Sequence, residues 1–168
     1  MIMIRSGNYS EFSKKIDLFR QSDQNVLYVI GESGVGKTSA ALEYINKNGR
    51  NNEVLYSVLA LPPTLKNFGV ELLLKLNISF QKHMHTDQIL ERVAMALKTH
   101  GIKLLLLDDF EKALVSHEGE LEKIVMFINI LSKITDVKIV LFGLPEIHKL
   151  SGRRNEVYEF EQSGIAIS

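Results

Sequence analysis

The run Gly31-Glu32-Ser33-Gly34-Val35-Gly36-Lys37-Thr38 fits the spacing G-x-x-x-x-G-K-[ST], a phosphate-binding loop. Each residue type answers a need of anion binding. Glycines let the backbone wrap closely around a phosphate and reach positive φ, so that successive N–H groups point inward. A helix beginning at the end of the loop adds unpaired N–H groups and the positive end of its dipole. Lys37 is the cation for the β- and γ-phosphates, and the Thr38 hydroxyl is a ligand for Mg²⁺. Ser39 completes a candidate nucleotide-binding set that runs from residue 31 to residue 39. The bland alternative is a glycine-rich turn that happens to spell the pattern. The flanks argue against it, because Val26–Ile30 reads as a buried strand and Thr38–Ile45 opens a helix. The loop predicts binding of ATP with Mg²⁺.

A second constellation lies downstream. Lys103-Leu104-Leu105-Leu106-Leu107-Asp108-Asp109 is an apolar strand with carboxylates at its exit, the Walker B pattern. Asp108 is placed to hold Mg²⁺, usually through water, beside the Thr38 hydroxyl. Asp109 is the candidate base that polarises the attacking water. It is one methylene shorter than the glutamate common at this position, so slow hydrolysis is expected. The alternative, a solvated turn after a strand, is weak because the phosphate loop calls for a carboxylate here. Gly143-Leu144, at the exit of a later strand, offers no polar side chain to sense a γ-phosphate. Arg153 and Arg154 sit in a polar stretch and are candidates for an arginine finger reaching a neighbouring subunit, although spacing alone favours two solvated arginines. His83-x-His85 has no carboxylate or cysteine at ligand spacing and reads as an exposed loop.

These residues need a scaffold, and the hydrophobic pattern supplies one. Residues 9–21 form an amphipathic helix with Phe12, Ile16 and Phe19 on one face. Strands are expected at Asn25–Ile30, Val54–Leu59, Lys103–Asp109, Val137–Phe142 and Val157–Phe160, with Val54–Leu59 buried like the others. The loop helix runs from Lys37 to Asn48 and stops at Gly49, a good residue for the position after a helix end. Pro62-Pro63-Thr64 starts a helix whose apolar face carries Leu65, Phe68, Leu72, Leu73 and Leu76. Thr86 is the expected N-cap of the next helix, with Ile89, Val93, Ala96 and Leu97 inward and Gly101 at its end. A longer helix covers Glu118–Ile134, with Leu121, Ile124, Val125, Ile128 and Leu131 inward. Strands alternating with helices, and apolar along their whole length, mean a parallel sheet covered on both faces. The fold class is α/β, a three-layer sandwich around about five parallel strands. Ligands bind beyond the carboxyl ends of such strands, so both motifs fall on one edge.

Composition narrows the function further. At 168 residues the chain fits one domain: 1–24 an N-terminal helical segment, 25–155 the core, 156–168 a terminal strand or tail. Twenty basic and twenty acidic residues cancel, which excludes a globally basic nucleic-acid binder but allows a local basic patch. The absence of cysteine excludes disulfides and thiolate metal sites. No apolar run approaches the ~18 residues that span a bilayer, and the start of the chain is too short for a signal peptide. A cytoplasmic protein with no membrane partner is the expectation.

The order and spacing of Gly31–Thr38, Leu61-Pro62-Pro63-Thr64-Leu65-Lys66, Gly101–Asp109 and Ile139–Glu146 resemble the TniB/TnsC family of AAA+ transposition regulators, with the phage Mu B protein more distant. The resemblance covers roughly residues 25–155. It implies an AAA+ core, a homo-oligomer that assembles on ATP binding, duplex DNA as a partner, and recruitment of a transposase at a target site. It also implies DNA contacts at Lys66, with Lys82 and Thr86 as further candidates, and it raises Arg153 or Arg154 as the finger. Lysine contacts to phosphate would be salt-sensitive and tolerant of sequence. Two departures from the family stand out. Asp109 replaces the usual glutamate, and the chain stops at Ser168 with no room for the helical lid. Other readings of the same motifs are a nucleotide-switch NTPase of a signalling or defence system, a helicase-loader-type ATPase and, least favoured, a metabolic kinase.

Overall fold

The computed structural model describes residues 6–49, 52–117, 119–150 and 156–159. Five apolar runs form β1 (Val26–Ile30), β2 (Val54–Val58), β3 (Leu104–Asp108), β4 (Lys138–Gly143) and β5 (Glu156–Glu159). All pair in parallel in one sheet of order β2-β3-β4-β1-β5. The helices are α1 (Ser6–Gln21), α2 (Lys37–Asn48), α3 (Leu65–Lys75), α4 (Thr86–Thr99) and α5 (Glu120–Thr135), with short 3₁₀ turns at Phe110–Val115 and Pro145–Leu150.

Strand alternation splits the core into two layers. Tyr28, Leu105, Leu107, Ile139 and Leu141 face α3, α4 and α5. Leu27, Val29, Leu104, Leu106, Val140 and Phe142 face α1 and α2. Both faces are covered, so these strands have no reason to alternate with polar residues, and the run of four leucines follows. Burying each such side chain stabilises the fold by about 1.5–3 kcal/mol, so the central strands are held firmly and the loops at their ends start from fixed points. In α1, the Phe12 ring packs 5.9 Å from Phe142 and edge-on to Tyr44, which fixes α2 from behind. The three-layer α/β architecture expected from the alternation of strands and helices is the one observed.

Some local readings need correction. β2 is an edge strand, paired only with β3, and of its residues only Ser57 is fully buried. Its apolar run looks like that of a central strand because Val54 and Tyr56 still pack, partly buried, on the α1/α2 layer and Leu55 on the opposite one. α3 begins at Leu65, after both prolines, and its N-cap is Thr64, whose Oγ1 accepts from Asn67 N–H at 3.1 Å. Thr86 is the first residue of α4 and not its N-cap. His85 takes that place, and its N–H donates to Gln88 Oε1 at 3.1 Å. α4 closes as expected, with Gly101 at φ +68° and Ile102 N–H donating back to Leu97 O. Among the described residues no helix is long and apolar enough to cross a membrane.

Candidate functional site

β1 delivers the phosphate loop. Gly31 is buried, and its N–H donates to Gly143 O at 3.2 Å, tying the start of the loop to the end of β4. Gly34 and Gly36 adopt φ of 80° and 105°, conformations that side chains with a Cβ rarely take. α2 then starts at Lys37 with no side-chain cap, so its first N–H groups face the opening rather than a capping oxygen. Lys37 Nζ lies across the loop and donates to Gly31 O at 2.6 Å and Glu32 O at 2.9 Å. Burial lowers its pKa, against the carboxylates of Glu111 and Asp108, which favour the charged form.

β3 delivers Asp108, which is only 3% exposed and accepts three hydrogen bonds. Thr38 Oγ1 donates to Oδ2 at 2.6 Å, Tyr56 Oη to Oδ2 at 2.7 Å, and Asp109 N–H to Oδ1 at 2.8 Å. The Tyr56 contact follows from register. β2 pairs Tyr56 with Leu106, and Asp108 lies two residues further on the same face, within reach of an aromatic side chain. Burial, and then the neighbouring Asp108, raise the Tyr56 pKa, so its hydroxyl stays a donor. Thr38 gives its single proton to Asp108, which leaves its oxygen lone pairs free for a cation. A hydroxyl and a carboxylate are hard oxygen donors, and that donor set fits Mg²⁺.

These elements enclose a cleft of about 380 Å³. Ser33, Gly34, Gly36, Lys37, Thr38, Ser39, Asp108 and Asp109 all line it. Gly31, Glu32 and Val35 support it from behind: the Glu32 carbonyl accepts from Lys37 and from Val35 N–H, and Val35 packs on the α1/α2 layer. Asp109 sits at φ 56°, and its Oδ2 pairs with Lys112 Nζ at 3.2 Å with the side chain 43% exposed. Gly143 and Leu144 form the far wall, together with Glu111 from the Phe110–Val115 turn.

Two residues of the site escape a reading by spacing. Tyr56 carries no signal until the β2–β3 register is known. Glu111 lies three residues beyond Asp108, and its acidity was the only trace. Its Oε2 is buried and has no hydrogen-bond partner among the described residues. A second cleft, of about 250 Å³, brings together Lys66, Thr86 and Lys123 at the N-terminal ends of α3, α4 and α5. Lys82 is exposed in the connection between α3 and α4 and does not line that cleft. His83 and His85 are exposed. Arg153 and Arg154 lie outside the described residues.

A family model described as an AAA domain matches residues 20–150. The chain belongs to the AAA domain family. Comparison with curated proteins finds no match. Among solved structures, this AAA chain is similar to Cdc6p from Pyrobaculum aerophilum, at 16% identity and a TM-score of 0.67, covering 95% of this chain and 47% of that one. It is similar to the Aeropyrum pernix ORC2 protein at 18% identity and a TM-score of 0.64, covering 94% of this chain and 48% of that one. It is also similar to DnaA from Aquifex aeolicus at 19% identity and a TM-score of 0.58, covering 95% of this chain and 48% of that one. At these identities the likeness is one of fold, and the chain spans about half the length of each structure.

The expected kinship with TniB/TnsC transposition regulators is overturned by these neighbours, which include Cdc6, ORC and DnaA proteins. The transposition role and its transposase partner lose their support with it. The structure gives the physical reason. The Leu61–Lys66 segment is a helix-capping turn around Thr64, and Ile139–Gly143 is the core of β4. Both are a helix cap and a buried strand, features that serve the fold itself and carry no mark of one branch.

Proposed function

We propose that this chain is an ATP-dependent switch module of the replication-initiator or helicase-loader type, which assembles on duplex DNA when ATP is bound and hydrolyses it slowly. The observation that carries the nucleotide half is the Thr38–Asp108–Tyr56 network under an uncapped helix N-terminus. Residues 31–39 would wrap the phosphates, with Lys37 as their cation. Thr38 and Asp108 would hold Mg²⁺, which, when bound, draws charge from the β- and γ-phosphates. Tyr56 keeps Asp108 oriented beside Thr38.

The DNA half rests on likeness and on surface chemistry. Two of the similar structures are the Aeropyrum pernix ORC1 protein in complex with DNA and Drosophila ORC bound to DNA. In this chain Lys66 and Thr86 share one cleft, where Lys66 is an exposed cation that suits phosphate oxygens, while Lys123 beside it is paired with Glu120 at 3.5 Å. Lys82 extends the same contact less directly. Arg153 or Arg154 would complete the site of a neighbouring copy as a finger. Sedimentation of the chain with duplex DNA at low salt, with and without Mg-ATP, is the test. A larger species that needs both ligands supports the reading, and an unchanged sedimentation coefficient with both present refutes it.

A further inference from the structure

The carboxylate best placed to activate water is not the one that the Walker B spacing points to. Asp109 pairs with Lys112 at 3.2 Å and leaves 43% of its side chain in solvent. A base so placed already has a cation and bulk water to satisfy it. Glu111 is the opposite case. It lines the same cleft, yet its Oε2 is buried with no donor among the described residues. A buried carboxylate oxygen without a partner is costly, and native structures rarely keep one without a use.

The exit of β4 explains how Glu111 comes to be there. A Cβ on Gly143 would stand 2.9 Å from Glu111 Oε2, 3.2 Å from Glu111 N and 2.8 Å from Ile147 Cδ1. Any side chain at 143 would therefore displace the Glu111 carboxylate. The missing sensor side chain and the unpartnered acid are one feature: the strand yields its place on the cleft wall to an acid from the adjacent 3₁₀ turn. The Coulombic influence on Lys37 agrees, since Glu111 stands ahead of Asp108 among the carboxylates that favour its charge.

We propose that Glu111 is the catalytic base of the site, accepting a proton from the water that attacks the γ-phosphate; this rests on the Mg-ATP reading above. The water oxygen forms the new bond to the γ-phosphorus as the bond to the β–γ bridging oxygen breaks, its electron pair leaving with ADP. The water proton passes to the Glu111 carboxylate, which lines the cleft, and then to solvent, and inorganic phosphate is released.

The test uses Glu111→Gln, Asp109→Asn, Glu111→Ala and Gly143→Ala in the full chain. Single-turnover hydrolysis is expected to fall by about 100-fold or more in Glu111→Gln and by less than about tenfold in Asp109→Asn. Mg-ATP affinity by calorimetry is expected to stay within about threefold of wild type in Glu111→Gln, as for a group that acts only in the transition state. Without nucleotide, Gly143→Ala lowers the melting temperature, and by less when Glu111→Ala is already present, because the displaced carboxylate is gone. The assignment is overturned if Asp109→Asn abolishes hydrolysis and Glu111→Gln keeps it, if wild type binds Mg-ATP without turning it over, or if Gly143→Ala costs the same in both backgrounds. Failure of wild type to bind Mg-ATP at all would instead overturn the underlying nucleotide reading.

Discussion

Tyr56→Phe removes a single hydroxyl and tests the network beneath the phosphate loop. Asp108 is 3% exposed and holds three donors, two of them on Oδ2. Without Tyr56, that oxygen keeps Thr38 alone, and water has little access to replace the loss. A hydrogen bond to a charged group contributes about 1.5–3 kcal/mol, and partial exposure of Tyr56 argues for the lower end, about 1.5 kcal/mol. For a chain of this size that is a fall of about 3–6 °C in melting temperature. Urea unfolding of the nucleotide-free chain at neutral pH measures it. Alkaline pH supplies an independent arm. Burial and then Asp108 raise the Tyr56 pKa above its ordinary 10.0. A group raised on folding stabilises fully below its unfolded pKa and loses that contribution as pH rises through the folded value. The gap between wild type and Tyr56→Phe is therefore flat up to about pH 10 and narrows above it. Tyr9 and Tyr44 are raised as well, so both proteins weaken in alkali and only their difference reports Tyr56. Equal stability of the two proteins at neutral pH, or a gap that widens above pH 10, refutes the reasoning.

Other substitutions separate binding from folding. Lys37→Ala should weaken ATP binding by about 100-fold or more, read by calorimetry, as expected for loss of the cation opposite the β- and γ-phosphates. The melting temperature of the nucleotide-free chain should barely move, because among the described residues Lys37 bonds to carbonyls of its own loop. Gly69→Ala tests the α3–α4 contact. A Cβ there would lie 2.7 Å from Cγ2 of Ile89, which is fully buried, so overpacking of about 1–3 kcal/mol should exceed the gain of about 1 kcal/mol in helix propensity. A net loss in urea unfolding is the expected result. Lys66→Ala should weaken binding to every duplex alike and reduce the slope of log affinity against log salt by about one, read by fluorescence anisotropy.

The fold was legible because its signals are local. Continuous apolar strands, helical spacing and glycine stops depend only on neighbours in sequence, and α2 runs from Lys37 to Asn48 as its pattern predicts. The phosphate loop and Asp108 were legible for the same reason, since each is a motif at a strand exit. What the pattern does not encode is strand order. Without it, β2 reads as a buried strand when it is the edge, and Tyr56 reads as a filler when it bonds Asp108 at 2.7 Å. Glu111 needed one step more, because its place depends on a glycine 32 positions further along the chain, on a different strand. The family branch was misread because capping turns and core strands recur wherever the fold does.

β4 lies between the strand that carries the phosphate loop and the strand that carries Asp108. The two exits are thus separated by two strand spacings, roughly 9.5 Å, set by main-chain hydrogen bonds rather than by any side chain. That makes the sheet a ruler for the site. Its graduations are main-chain amides of buried central strands, the class that opens at free energies close to global unfolding. Heating should therefore leave the distance between loop and acid untouched until the whole sheet gives way, so nucleotide affinity ends at a cliff and not along a slope.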